Sequence, residues 1–275
     1  MTALAAEIVV AFAVLAGVFG LVIGSFLNVV AYRVPAGIPL TRDSRCPECD
    51  TPVRAWQNVP VASWVALRGR CAGCRTPISA RYPVVEVVTA LAFAGIAAAS
   101  LNTSSVPFGP TVVVLVAYLY FAAVSVVLTL IDQDTRRLPN AIVLPSYAVA
   151  LGLLALACVA GADWGSFWRA VLGGALLYAF YAVLRGIRPG GMGGGDVKLA
   201  GVVGIYLAWL GWGSLAVGAF AAFVLGGVVG LALLTLQRAG RHTAIPFGPW
   251  MLVGAWIGIL AGEPLANWYT GLVVA

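Results

Sequence analysis

Residues 110–137 read PTVVVLVAYLYFAAVSVVLTLIDQDTRR, and this stretch decides the fold. Residues 110–131 contain no Asp, Glu, Lys, Arg or His. That run matches the roughly 20 apolar residues a helix needs to cross a bilayer. Asp132, Asp134, Arg136 and Arg137 follow at once. A membrane helix is therefore expected to end where a charged loop begins, with Asp132 at the junction. Carboxylates near hydrocarbon are expensive to keep, so an ionisable residue there is a functional hypothesis by default.

The rest of the chain has the same character. It is 275 residues long, 61% hydrophobic and only 9% charged, with mean hydropathy +0.98. A soluble domain carries about 25% charged residues. The apolar runs suit helices, not barrel strands. Met1 to Glu7 contain no Lys or Arg, and the first apolar run is too long for a signal h-region, so no cleaved signal peptide is expected. Eight membrane helices are expected, over 8–31, 83–100, 110–131, 141–160, 166–185, 197–212, 214–236 and 249–262. The second, sixth and eighth are short for a bilayer.

Basic residues orient these spans. Eight arginines fall within 33–82; Arg136 and Arg137 follow the third span, Arg185, Arg188 and Lys198 flank a glycine loop, and Arg238 and Arg241 follow the seventh. Only Arg169 falls on the other side. The positive-inside rule places the basic loops in the cytoplasm and both termini outside.

Residues 33–82 alone have the composition of a soluble domain. They contain Cys46-Pro47-Glu48-Cys49 and Cys71-Ala72-Gly73-Cys74, two knuckles spaced as in a zinc ribbon. Cys46, Cys49, Cys71 and Cys74 would form a closed tetrahedral thiolate shell, which suits a structural ion, and the metal would stabilise a segment too small for a strong core. Two disulfides or a redox dithiol are the alternatives, and a cytoplasmic location disfavours stable disulfides. Cys158, inside the fourth span, is read as a small buried apolar residue.

A second carboxylate repeats the pattern of Asp132. Asp196 lies in Gly191-Met192-Gly193-Gly194-Gly195-Asp196-Val197-Lys198-Leu199 and opens the sixth span. The third span runs inward and the sixth outward, so both aspartates come to one membrane face. Two carboxylates that meet form an acid–base pair, the minimum for an aspartyl protease. An Asp at a helix start is also a common cap. Asp134 competes with Asp132, but it sits two residues further into the loop and reads as a solvated partner of Arg136 or Arg137. Helix dipoles favour Asp196 as the anion and Asp132 as the neutral acid.

The motifs, in order, resemble the prepilin peptidases, the type IV leader peptidase family. Gly24-Ser25-Phe26-Leu27-Asn28 through Arg33-Val34-Pro35 is similar to the family's N-terminal signature. The two Cys knuckles follow, then Ile78-Ser79-Ala80-Arg81-Tyr82-Pro83-Val84-Val85-Glu86. Ile131-Asp132 with Asp134 and Leu138-Pro139, Gly193-Gly194-Gly195-Asp196, and Ile245-Pro246-Phe247-Gly248-Pro249 complete the set. Asn140 stands where many members have Asp. The resemblance implies a GxGD-type aspartyl endopeptidase with catalytic Asp132 and Asp196, cutting the basic leader from type IV prepilins or pseudopilins at the cytoplasmic face of the inner membrane. It also implies N-methylation of the new terminus from S-adenosylmethionine, because the N-terminal signature and the cysteine region go with methylating members.

The expected organisation is a first transmembrane helix (1–31), a cytoplasmic four-cysteine zinc domain associated with methyl transfer (32–82) and a membrane-embedded peptidase domain (83–275). The expected cofactors are structural Zn2+ and S-adenosylmethionine. The expected surroundings are prepilin substrates and membrane lipid, with no nucleic acid. The competing functional classes are a non-enzymatic zinc-knuckle assembly factor and a proton-coupled transporter. Glu86, at the start of the second span, is either a helix N-terminal stabiliser or a functional acid. His242, the only histidine, reads as a solvated loop residue. Gly20 with Gly24 and Gly226 with Gly230 read as close helix packing within the chain. Trp164, Trp168, Trp212 and Trp268 read as an interfacial belt.

Overall fold

The structure, a computed structural model, describes residues 3–102, 108–187, 192–236 and 246–274. Arg188, Gly191, Arg238, Arg241, His242 and Ile245 lie outside the described residues. Within them the chain is all-α. The long helices are α1 (Ala3–Ala36), α3 (Arg81–Asn102), α4 (Phe108–Thr135), α5 (Asn140–Val159), α6 (Trp164–Ile187), α7 (Gly194–Leu210), α8 (Trp212–Thr235) and α9 (Gly248–Val274). A 3-10 turn (Ala55–Asn58) and the short α2 (Ala62–Ala66) lie between α1 and α3. The described residues contain no strand, only isolated bridges Arg45–Pro52 and Arg70–Pro77.

Seven of these helices are long and apolar enough to cross a membrane. The exception is α7, with 17 residues. Its side chains are buried continuously from Leu199 to Trp209, the mark of a helix enclosed by protein on all sides. The other marked difference from the expected spans is α9, which continues through Pro264 to Val274 instead of ending near 262. Glu263, which reads as a break in the apolar run, is used inside the fold. Its Oε1 accepts the Ser214 N–H at 2.9 Å, satisfying a donor at the start of α8 that has no partner within its own helix.

The chain divides into two compact units, Met1–Val127 and Leu128–Ala275. In the first, α1 packs along α3. A Cβ on Gly24 would lie 2.7 Å from Glu86 Cα, and one on Gly20 would lie 2.8 Å from Ala90 Cα, so hydrogen is the only side chain that this approach admits. Asn28 Nδ2 donates to the carbonyls of Gly24 and Tyr82, each at 3.2 Å, tying the helices together at the level of the N-terminal signature. Arg33 is buried. It donates to the Leu40 carbonyl at 2.9 Å and to the Arg42 carbonyl. It therefore anchors the loop that leaves α1, a role that counting charges does not reveal.

In the second unit α7 packs against α5, α6, α8 and α9. Against α6 the backbones meet closely: a Cβ on Gly204 would lie 2.5 Å from the Gly173 carbonyl oxygen. Arg169, the one basic residue on the minority side, caps the C-terminus of α7. Its Nε and Nη2 donate to the Ala208 and Trp209 carbonyls, each at 2.7 Å. A cation is favoured at that end of a helix and satisfies its orphan acceptors. Tyr147 reaches from α5 to donate to the Lys198 carbonyl at 2.5 Å. Trp164, Trp168, Trp212 and Trp268 are all exposed.

Candidate active site and metal centre

The last turn of α4 sets the position of Asp132. The helix ends because Arg136 adopts φ 53, a left-handed conformation that closes helices, and Pro139 then starts the turn into α5. Asp132 is buried, at 4% exposure. Its Oδ2 accepts the N–H of Gly248, the first residue of α9, at 3.1 Å. A Cβ on Gly248 would lie 2.7 Å from that same oxygen. Glycine is thus what lets the backbone amide reach the carboxylate.

Asp196 sits in the first turn of α7 and is half-buried. Its Oδ2 accepts the Gly193 N–H at 3.0 Å, so it partly fills the capping role open to an acid at this position. This does not isolate it: the two carboxyl groups are close enough to interact electrostatically. Leu138 packs against the glycines next to each acid: a Cβ on Gly195 would sit 2.8 Å from Leu138 Cβ and one on Gly248 would sit 3.5 Å from Leu138 Cδ1. Tyr181, itself buried, also lies within electrostatic range of Asp196. Its ring packs with those of Phe223 (centroids 5.4 Å apart) and Phe247 (6.2 Å). The three rings form one aromatic wall. Asp134 is exposed.

Two carboxyl groups acting on one substrate can divide the chemistry, one polarising water while the other protonates a leaving group. Gly248→Ala tests how closely the site is set. The amide survives, but the new methyl displaces the Asp132 carboxylate. Peptide cleavage is expected to fall about 10²-fold, as for a misplacement of about 1 Å in a catalytic group, with little loss of thermal stability. Activity assays and melting curves on the purified variant check this.

The cysteine segment folds as two copies of one local structure. Arg45-Cys46-Pro47-Glu48-Cys49-Asp50-Thr51-Pro52 and Arg70-Cys71-Ala72-Gly73-Cys74-Arg75-Thr76-Pro77 share the pattern R-C-x-x-C-x-T-P. Each is closed by an Arg–Pro bridge. Each also has a left-handed residue after its second cysteine, Asp50 at φ 51 and Arg75 at φ 63. Cys49 Sγ lies 3.2 Å from Thr51 Oγ1 and Cys74 Sγ lies 3.2 Å from Thr76 Oγ1. Hydrogen bonding from Thr51, through hydroxyl and amide, holds the Cys49 thiol down at about 6.

All four Sγ atoms lie within 4.8 Å of one another. The Cys46–Cys74 and Cys49–Cys71 separations are 3.8 and 4.0 Å. Tetrahedral Zn–S bonds of about 2.3 Å put sulfurs about 3.8 Å apart, so the donor set fits a metal of that kind. The cysteines are free, and the shell has four ligands with no position reserved for substrate.

Residues 18–100 match the bacterial peptidase A24 N-terminal domain, and residues 119–231 match the type IV leader peptidase family. The prepilin leader peptidase/N-methyltransferase of Stutzerimonas stutzeri is 34% identical over 286 residues, covering 94% of each chain. Its counterpart in Neisseria gonorrhoeae is 37% identical, covering 93% of each chain. The chain belongs to the type IV leader peptidase family. It is a multi-pass membrane member. The Aeromonas hydrophila relative, 35% identical over 91% of each chain, carries the same description. No solved structure matches.

Several groups around the candidate site escape a reading of motifs alone. The Gly248 amide is legible only as part of Pro246-Phe247-Gly248-Pro249, because backbone donors leave no residue-type signal. Leu138 and Tyr181 look like ordinary apolar or aromatic residues. Thr51 and Thr76 are different: the octapeptide repeat with its 25-residue offset is visible in the sequence.

Proposed function

We propose that this leader peptidase is a membrane aspartyl endopeptidase that cuts the basic leader from type IV prepilins or pseudopilins at the cytoplasmic face, then N-methylates the new terminus. What supports the reading is that Leu138 packs against both Gly195, the neighbour of Asp196, and Gly248, whose N–H reaches Asp132, so one residue links the surroundings of the two aspartates. They come from the ends of different helices, lie 64 positions apart, interact electrostatically, and each accepts a backbone N–H. Helix polarity divides their work. Asp196, at the N-terminus of α7, is the base that takes a proton from the attacking water; Asp132, at the C-terminus of α4, protonates the departing amine. The pair titrates as one unit. A prepilin's basic leader stays with the cytoplasm while its hydrophobic helix lies among lipids, which places the scissile bond at the interface.

Residues 83–275 form the peptidase part, and residues 32–82 form a cytoplasmic domain whose four cysteines hold structural zinc. The basic loops orient the chain with both termini outside, in the inner membrane. The methyl donor is S-adenosylmethionine, which supplies an electrophilic methyl group when bound. A cavity of about 650 Å³ within the first unit suits it. Its volume is in the usual range for small-molecule sites, about 300–1,000 Å³, and aromatic Trp64 and Tyr82 line it together with polar Asn28 and Gln57.

The test is co-expression with a type IV prepilin, followed by mass measurement of its N-terminus. Leader loss and one added methyl group are expected. An unchanged precursor in the presence of folded enzyme would refute the peptidase reading. A cleaved but unmethylated product would refute only the second activity.

A further inference from the structure

Glu86 is a buried carboxylate that the peptidase chemistry does not use. It lies in the second turn of α3 and is 7% exposed. Its Oε2 accepts the Val61 N–H at 2.7 Å. Val61 adopts φ 58, a costly conformation for a β-branched residue. The Glu86 bond holds that turn in place, and Glu86 lines the 650 Å³ cavity. Asp43 and Asp50 line it too, but both are exposed, and Asp50 pairs with Arg45 at 3.1 Å. Glu86 is therefore the one buried acid among the described residues facing this space. A buried acid held by a single N–H retains acceptor capacity on its second oxygen.

An amine cannot attack a methyl group while it carries its full complement of protons. A peptide α-amino group has a pKa of about 7.7–8.0, so near neutrality most of it is ammonium. It needs a group that binds the cation and then removes one proton. We infer that Glu86 is that group: its carboxylate receives the substrate's terminal α-ammonium in the cavity and takes a proton from it. This rests on the methyltransferase reading above. The freed nitrogen lone pair forms the N–C bond to a sulfonium-borne methyl as the S–C bond breaks, its electron pair staying on sulfur. The product is a secondary ammonium, and the abstracted proton leaves from Glu86 to water.

The detergent-purified full chain is assayed for methylation of a leaderless type IV pilin with S-adenosylmethionine. Glu86→Gln keeps an oxygen for the Val61 N–H but has no basicity. Its methylation kcat is expected to fall about 10²-fold or more, within the range for general bases. Prepilin cleavage is expected to persist as the folding control, and S-adenosylmethionine binding by equilibrium dialysis to stay within roughly twofold of wild type. Glu86→Asp, which keeps basicity but shortens the reach to Val61, is expected to recover part of the lost rate. A Gln variant as fast as wild type beside a defective Asp variant would make Glu86 a brace for Val61 and overturn the inference. Loss of S-adenosylmethionine binding in the Gln variant would assign the carboxylate to the donor and also overturn it. A wild-type chain that cuts prepilin but methylates nothing removes the underlying reading as well, and is recognised without any variant.

Discussion

Asp132→Asn and Asp196→Asn are each expected to abolish prepilin cleavage. The substitutions are isosteric. An Asn at 132 still offers an oxygen to the Gly248 N–H, which lies 3.1 Å from the native carboxylate. An Asn at 196 can likewise accept from Gly193, 3.0 Å away in the native chain. The fold should therefore survive, and what is lost is proton transfer. A positioned acid or base contributes about 10²–10⁴ in rate. The two act as a unit, so the double variant should be no worse than the worse single one. Methylation of a pre-cut pilin should persist in both. Asp134→Asn should cleave within a few-fold of wild type, because Asp134 is exposed. The measurement is cleavage of a purified prepilin in detergent, with no ion gradient, followed by mass spectrometry. Cleavage by both single Asn variants at wild-type rate would sink the catalytic pair. Dependence on a proton gradient would favour the transporter class instead.

Cys46→Ser is expected to remove the metal and unfold the segment around it. Wild-type chain should carry roughly one zinc, the stoichiometry of a closed four-thiolate site. The variant should carry almost none. Apparent zinc binding in small thiolate domains is worth about 10–16 kcal/mol at neutral pH. A segment of this size has little hydrophobic core to replace that. The described part of it has no strand, only a 3-10 turn and the short α2. Limited proteolysis should therefore cut the variant, or chelator-treated wild type, between the knuckles near 53–70. Methylation should fall with it, because Cys46 and Cys71 help line the cavity that also holds Glu86. Metal analysis by plasma spectrometry and the proteolysis map check both points. A metal-free wild type that is folded and fully active would refute the zinc assignment.

Some features were legible residue by residue. The apolar runs announced the long helices, and the four cysteines stood at ribbon spacing. Asp132 and Asp196 stood out as carboxylates beside hydrocarbon. Helix ends were less legible. The last span was expected over 249–262, yet α9 runs on through Pro264 to Val274, and Glu263 within it accepts the Ser214 N–H. Most of the arginines read as topology signals, but Arg33 and Arg169 are structural donors to loop and helix carbonyls. Charge alone does not distinguish a solvated guanidinium from one aimed at a backbone oxygen.

By itself the sequence determined the membrane class and the metal-ligand spacing and singled out two candidate aspartates, because those depend on residue type and short-range periodicity. Only the tertiary structure decided which groups complete each site. The Tyr181 wall comes to Asp196 from a different helix. The Gly248 amide reaches Asp132 across 116 positions of chain, and the Val61 N–H reaches Glu86 across 25. Such partners are backbone amides or ordinary apolar side chains. They acquire a role only when close packing, made possible by glycines such as Gly24 and Gly204, brings distant segments into hydrogen-bonding or electrostatic range.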